Sequence, residues 1–67
     1  MNVTVNGDAR EVSDGTTVLE IVRNLGTRAE VGVAVAINGE VVAKSEWSGS
    51  TLEEGDRVEV LRAIGGG

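Results

Sequence analysis

The 67-residue sequence predicts an α+β domain: a mixed sheet of four to five strands with one main helix packed on one face. Three observations carry this. Two Asn-Gly pairs, Asn6-Gly7 and Asn38-Gly39, each sit between strand-like runs. One amphipathic stretch, Thr17 to Leu25, lies between those hairpins with both of its ends marked. A final alternating run, Arg57 to Arg62, closes the folded part.

Asn2 to Asn6 alternates, with Val3 and Val5 on one face and Thr4 on the other, which is the two-residue period of a strand. Asn and Gly both tolerate positive φ, so Asn6-Gly7 is a hairpin signal, and the return strand is expected over Ala9 to Val12. Ser13-Asp14-Gly15 supplies turn chemistry. Thr17-Val18-Leu19-Glu20 fits a capping box, in which hydroxyl and carboxylate each satisfy a free backbone N–H. Val18, Ile21, Val22 and Leu25 follow at helical spacing and form one apolar stripe. Gly26 stands where a left-handed residue would end the helix, giving about ten residues in all.

Thr27 to Gly32 reads as a loop. Val33 to Asn38 reads as a strand with Val33, Val35 and Ile37 toward the helix and Ala34 and Ala36 on the other side. Polar residues usually occupy a solvated sheet face, so two alanines there mark either a docking face or a crowded central strand. Asn38-Gly39 leads into Glu40 to Ala43. Lys44 to Ser50 breaks the pattern around Trp47, the sole aromatic, which is expected to pin this connection against the core rather than stack on a ligand. After a turn at Glu53 to Asp56, Arg57 to Arg62 places Val58 and Val60 inward and Glu59 and Leu61 outward. The resulting ββαββ order, with first and last strands parallel at the centre, is the β-grasp. Ala34, Ala36 and Leu61 then form a candidate docking face continuous with the C-terminal residues.

Composition narrows the chemistry. There is no Cys and no His, which removes disulfides, thiolate and imidazole metal sites, and Cys- or His-based nucleophiles. A net charge of −5 argues against nucleic acid and anionic membranes and suits basic partner surfaces. No apolar run approaches the ~20 residues of a membrane span, and no signal segment opens the chain, so the cytoplasm is the expected compartment. Glu53, Glu54 and Asp56 are neighbouring carboxylates, but they lie in a turn without His, Cys or a pocket beside them, and the chain is not expected to be an enzyme.

What remains is the end of the chain, Ile64-Gly65-Gly66-Gly67, expected to be a flexible tail over 64–67 on a single domain spanning 1–67. A run of small residues at a terminus is also what a frayed end looks like. As a functional element, a glycine carboxylate is unbranched and enters a narrow channel, since glycine adopts backbone angles that other residues avoid. A free carboxylate is a poor electrophile. Adenylation turns it into a mixed anhydride, which a sulfur nucleophile converts to a thiocarboxylate or an amine to an amide. The ATP site must belong to a partner.

These residues resemble the β-grasp sulfur carrier proteins of the ThiS family, the thiazole-forming branch of thiamin biosynthesis. The likeness covers T-V-x-E-I-V-x-x-L (Thr17 to Leu25), V-A-I-N-G (Val35 to Gly39), S-E-W (Ser45 to Trp47), L-x-x-G-D-x-V-x-V (Leu52 to Val60) and the final A-I-G-G-G. The resemblance implies that Gly67 bears the adenylate and then the thiocarboxylate, and that Ile64, Gly65 and Gly66 are the tail a partner binds. Family members more often carry Ala at the place of Gly65, which makes this leash looser and leaves the diglycine intact. Implied partners are a ThiF-like, E1-type adenylating enzyme using ATP and Mg²⁺, a cysteine-desulfurase-derived sulfur source, and a ThiG-like thiazole synthase as acceptor. The Gly-Gly end also suits carriers for molybdopterin synthase, cysteine synthesis or tRNA thiolation, and ubiquitin-like modifiers.

Overall fold

The computed structural model describes residues 1–25 and 32–62. Strands β1 (Asn2–Val5), β2 (Asp8–Glu11), β3 (Val33–Ile37), β4 (Glu40–Val42) and β5 (Arg57–Arg62) form one five-stranded sheet in the order β2-β1-β5-β3-β4. β1 and β5 pair in parallel at the centre, and every other pairing is antiparallel. Helix α1 (Val18–Asn24) packs on one face, giving the ubiquitin-like β-grasp arrangement expected of the sequence.

The local signals act as anticipated, with small shifts in extent. Asn6 and Gly7 take φ of 50° and 87°, and Asn38 and Gly39 take 51° and 88°, so each pair forms a two-residue hairpin loop. Such a loop sets Val5 opposite Asp8, and the return strand therefore runs over Asp8–Glu11 rather than Ala9 to Val12. Val12 still donates its N–H to the Met1 carbonyl at 2.8 Å. For the same reason β3 stops at Ile37, because Asn38 is already in the turn.

The capping box is present: Glu20 N–H donates to Thr17 Oγ1 at 3.3 Å, and Thr17 N–H donates to Glu20 Oε1 at 2.9 Å. The helix is seven residues long, shorter than expected, with Leu25 at its C-cap. Gly26, expected just beyond, lies outside the described residues. Val18, Ile21 and Val22 are buried, while Leu25 is half-buried against the core.

The connection around Trp47 is not irregular, as the sequence suggested, but a 3₁₀ helix, Lys44–Gly49. Trp47 is 1% exposed, and its indole N–H donates to the Val42 carbonyl at 3.0 Å. A buried indole needs an acceptor, and the tight 3₁₀ turn brings the ring back under β4 to find one. The segment beyond it is tied to the entry of the helix: Val18 N–H donates to Ser50 O and Leu52 N–H to Thr16 O, both at 2.9 Å. The core is therefore β-branched residues of β1, β3 and β5 closed over by α1, Trp47 and Leu52.

Candidate functional site

Three features position the strand that leads to the C-terminal residues. β5 lies between β1 and β3 and has no free edge along most of its length. Where β1 ends, Asn6 takes over. Its backbone N–H donates to Val58 O at 2.8 Å, its Oδ1 accepts from Val60 N–H at 2.8 Å, and its Nδ2 donates to Val60 O at 3.2 Å. The side-chain amide thus stands in for one more peptide unit of the parallel ladder. On the other flank Asn38 donates its N–H to Arg57 O at 2.8 Å and accepts from Arg57 N–H through Oδ1 at 2.9 Å. Both asparagines were legible in the sequence only as turn formers. Their amides also clamp β5, Asn38 at its start on Arg57 and Asn6 further along at Val60.

The sheet face opposite the helix carries the expected patch. Ala34 sits directly across from Leu61, and Ala36 lies across from Glu59 on one side and Val41 on the other. Leu61 is 67% exposed and Val41 79%, and these are the two large hydrophobic side chains left open to solvent among the described residues. The structure therefore brings Ala34, Ala36 and Leu61 together and adds Val41, which the sequence reading passed over. A signal for it existed. A two-residue Asn38-Gly39 loop places Glu40 opposite Ile37, so Val41 must share the face of Ala36. The alanines keep the middle of this strip low and flat between the two larger side chains, with Glu59 on the same face.

The remaining candidates, Ile64, Gly65, Gly66 and Gly67, lie outside the described residues, as does the junction at Ala63. The acidic turn is engaged in holding the fold. Asn2 N–H donates to Glu54 Oε1 at 2.9 Å, and Asp56 accepts from Glu53 N–H at 2.8 Å and from Asn38 Nδ2 at 3.0 Å. Among the described residues no group of His, Cys, Asp or Glu side chains could hold a metal ion. No helix among them is long and apolar enough to cross a membrane.

Known proteins share this architecture and sequence. Over all 67 residues the chain is 31% identical to the sulfur carrier protein ThiS of Escherichia coli, covering the whole of both chains. It is 36% identical to a thiazole synthase of Paramagnetospirillum magneticum, where it spans the whole of this chain but 20% of that protein. A crystal structure of the thiamine biosynthesis protein ThiS from Geobacter metallireducens superposes with a TM-score of 0.82 at 36% identity, covering all of both chains. A solution structure of a thiamine biosynthesis protein from the same organism gives 0.78 at 37% identity, covering 100% of this chain and 88% of that one. A sequence model of the ThiS family matches residues 3–67, from the first buried valine of β1 to the last glycine, and the chain belongs to that family.

Proposed function

We propose that this protein is a sulfur carrier of thiamin biosynthesis, acting in the cytoplasm as the co-substrate of partner enzymes rather than as a catalyst. The observation that carries the reading is the end-to-end match to a sulfur carrier of the same length, including a terminal glycine run on a β-grasp platform. In this reading a ThiF-like enzyme, using its own ATP and Mg²⁺, transfers AMP to the Gly67 carboxylate. Pyrophosphate leaves, and the carbonyl carbon becomes an electrophile with AMP as a good leaving group. Sulfur delivered by a desulfurase system displaces AMP to give the thiocarboxylate, which a ThiG-like synthase draws on to build the thiazole.

Each part of the chain has a share in this. Gly65 and Gly66 thread the tail, since residues without Cβ permit close approach of a partner's backbone. Capture of a C-terminal carboxylate by backbone donors is a recurring recognition mode. Ile64 belongs with Gly65 and Gly66 to the tail that a partner binds. The Ala34, Ala36, Leu61 and Val41 strip docks the domain, so that the tail is aimed rather than searching. Likeness to 20% of a protein named thiazole synthase supports an acceptor of that kind.

Intact mass spectra before and after incubation with ATP, a matched adenylating enzyme and sulfide test this directly. A gain equal to replacing one oxygen by sulfur, mapped to Gly67, is expected. An unmodified mass, with the enzyme shown active on another carrier, would overturn the proposal.

A further inference from the structure

The sheet ends on one side in β2, and among the described residues nothing pairs with the far edge of that strand. Met1 and Val12 exchange both of their backbone hydrogen bonds: Val12 N–H donates to Met1 O at 2.8 Å, and the Met1 ammonium donates to Val12 O at 2.7 Å. In an antiparallel ladder such pairs alternate with pairs that exchange none. Val3–Arg10 and Val5–Asp8 are therefore bonded pairs, whereas Asn2–Glu11 and Thr4–Ala9 are not. The N–H and C=O groups of Ala9 and Glu11 consequently point away from β1. They lie about 7 Å apart, the two-residue repeat at which a further strand would bond to them.

A groove adjoins this edge on the helix side of the sheet. Its volume is about 350 Å³, and it lies between β2 and the end of α1. Buried Val5 and Ile21 and half-buried Val12 and Leu25 make it apolar, while Arg10, Glu11 and Asn24 stand exposed around the rim. Arg10 pairs with buried Val3 and Asp8 with buried Val5, so both side chains belong to the helix side; Ala9, opposite Thr4, faces the other way. The volume is at the low end of ligand pockets, roughly 300 to 1,000 Å³, and suits the aliphatic side chains of a peptide better than a cofactor. Open backbone groups beside an apolar groove are what strand addition uses, the main chain supplying affinity and the groove specificity. Charge narrows the partner. Asp8 and Glu11 outnumber Arg10 on a chain of net charge −5, and none of the three has an ion-pair partner among the described residues.

We propose that the β2 edge and its groove bind an extended basic segment of another protein as an added strand, with an aliphatic side chain in the groove and a lysine or arginine beside Asp8. Alternate side chains of a strand share a face, so an aliphatic and a basic residue two positions apart both fall on the helix side. A second copy of this chain is a poorer occupant, since its own edge brings the same excess of carboxylates. The groove lies on the face of the sheet opposite Ala34, Ala36, Val41 and Leu61, and β2 is separated from β4 by the whole width of the sheet. The domain therefore holds a strand partner while its other face stays open. The inference uses none of the residues of that face and stands apart from the sulfur-carrier reading.

The probe is an end-blocked peptide, Lys-Thr-Ile-Thr-Ile-Thr-Lys, which when extended puts its lysines and isoleucines on one face. It is titrated into the full isotope-labelled chain and followed by NMR, with no enzyme present. The expected result is saturable shifts and slowed hydrogen exchange at the Ala9 and Glu11 amides, together with shifts of the Val12, Ile21 and Leu25 methyl groups. N-methylation of the threonines removes the donors of an antiparallel addition, and N-methylation of the isoleucines those of a parallel one. At least one of these peptides should bind about tenfold more weakly, and undiminished binding of both would overturn strand addition. Asp8→Lys should weaken the lysine peptide by up to about 5-fold and favour one ending in glutamates instead. The same affinity for both peptides before and after that substitution would overturn the charge assignment. No saturation at millimolar peptide, or shifts confined to the opposite face of the sheet, would overturn the site. Shifts of the Ala9 and Glu11 amides with protein concentration alone would give the edge to a second copy and overturn the basic partner.

Discussion

Leu61→Glu separates docking from folding. Leu61 is 67% exposed, so about a third of its surface is already covered. Fully burying a leucine is worth about 1.5–3 kcal/mol, which leaves about 1–2 kcal/mol for a partner that covers the rest. At 1.4 kcal/mol for each tenfold, Leu61→Ala should weaken binding to the adenylating enzyme by roughly 5- to 30-fold. Glutamate adds the burial of a charge with no partner, a cost of several kcal/mol, and should weaken binding by more than about 100-fold. The folded domain loses little, because an exposed position typically changes stability by no more than about 0.5 kcal/mol, or about 2–4 °C in Tm for a domain of this size. Calorimetric titration against the enzyme, with thermal denaturation of each variant, reads both quantities. Ala9→Glu is the charge-matched control, since Ala9 is exposed on β2, well away from the strip. Unchanged affinity for Leu61→Glu, or an equal loss for Ala9→Glu, would refute docking through this face.

Three further outcomes follow from the structure. Asn6→Ala removes the clamp on Val60 and leaves its N–H and C=O without their amide partner; a loss of about 1–3 kcal/mol is expected in urea denaturation, with Asn6→Asp no better because its carboxylate faces the Val60 carbonyl. Trp47→Ala should cost about 3–5 kcal/mol, enough to unfold much of so small a domain at 37 °C by circular dichroism, since the ring is fully buried and its hydrogen bond to Val42 is lost with it. Deleting Gly66 and Gly67 should leave Tm unchanged and abolish enzymatic modification in the mass assay; a truncated chain that is still adenylated would refute the role given to the tail.

Most of the fold was legible residue by residue. The capping box at Thr17 and Glu20, the stripe from Val18 to Leu25 and the two Asn-Gly loops depend on neighbours within a few positions. Local chemistry of that kind does not wait for the rest of the chain. The alternation in Arg57 to Arg62 likewise announced that Leu61 faces outward, and the two alanines of β3 announced a flat face. The terminal glycines and the absence of Cys and His directed the sequence reading to carboxylate chemistry at a partner's site.

Other properties came only with long-range pairing. Val41 lines up with the exposed Ala34, Ala36 and Leu61 through the β3–β4 and β3–β5 pairings, although the two-residue Asn38-Gly39 loop already implied its face. Asn6 reaches Val60 across 54 positions, so its second role as an extension of β1 exists only once β1 and β5 lie side by side. The 3₁₀ helix at Lys44–Gly49 has no periodic signature; it forms because Trp47 must bury its ring and still find an acceptor for its N–H at Val42. Residue types announce turns, caps and faces through contacts a few bonds away, whereas strand order and register arise from burying the valines of β1, β3 and β5 together, and only that burial sets the distances between groups remote in sequence.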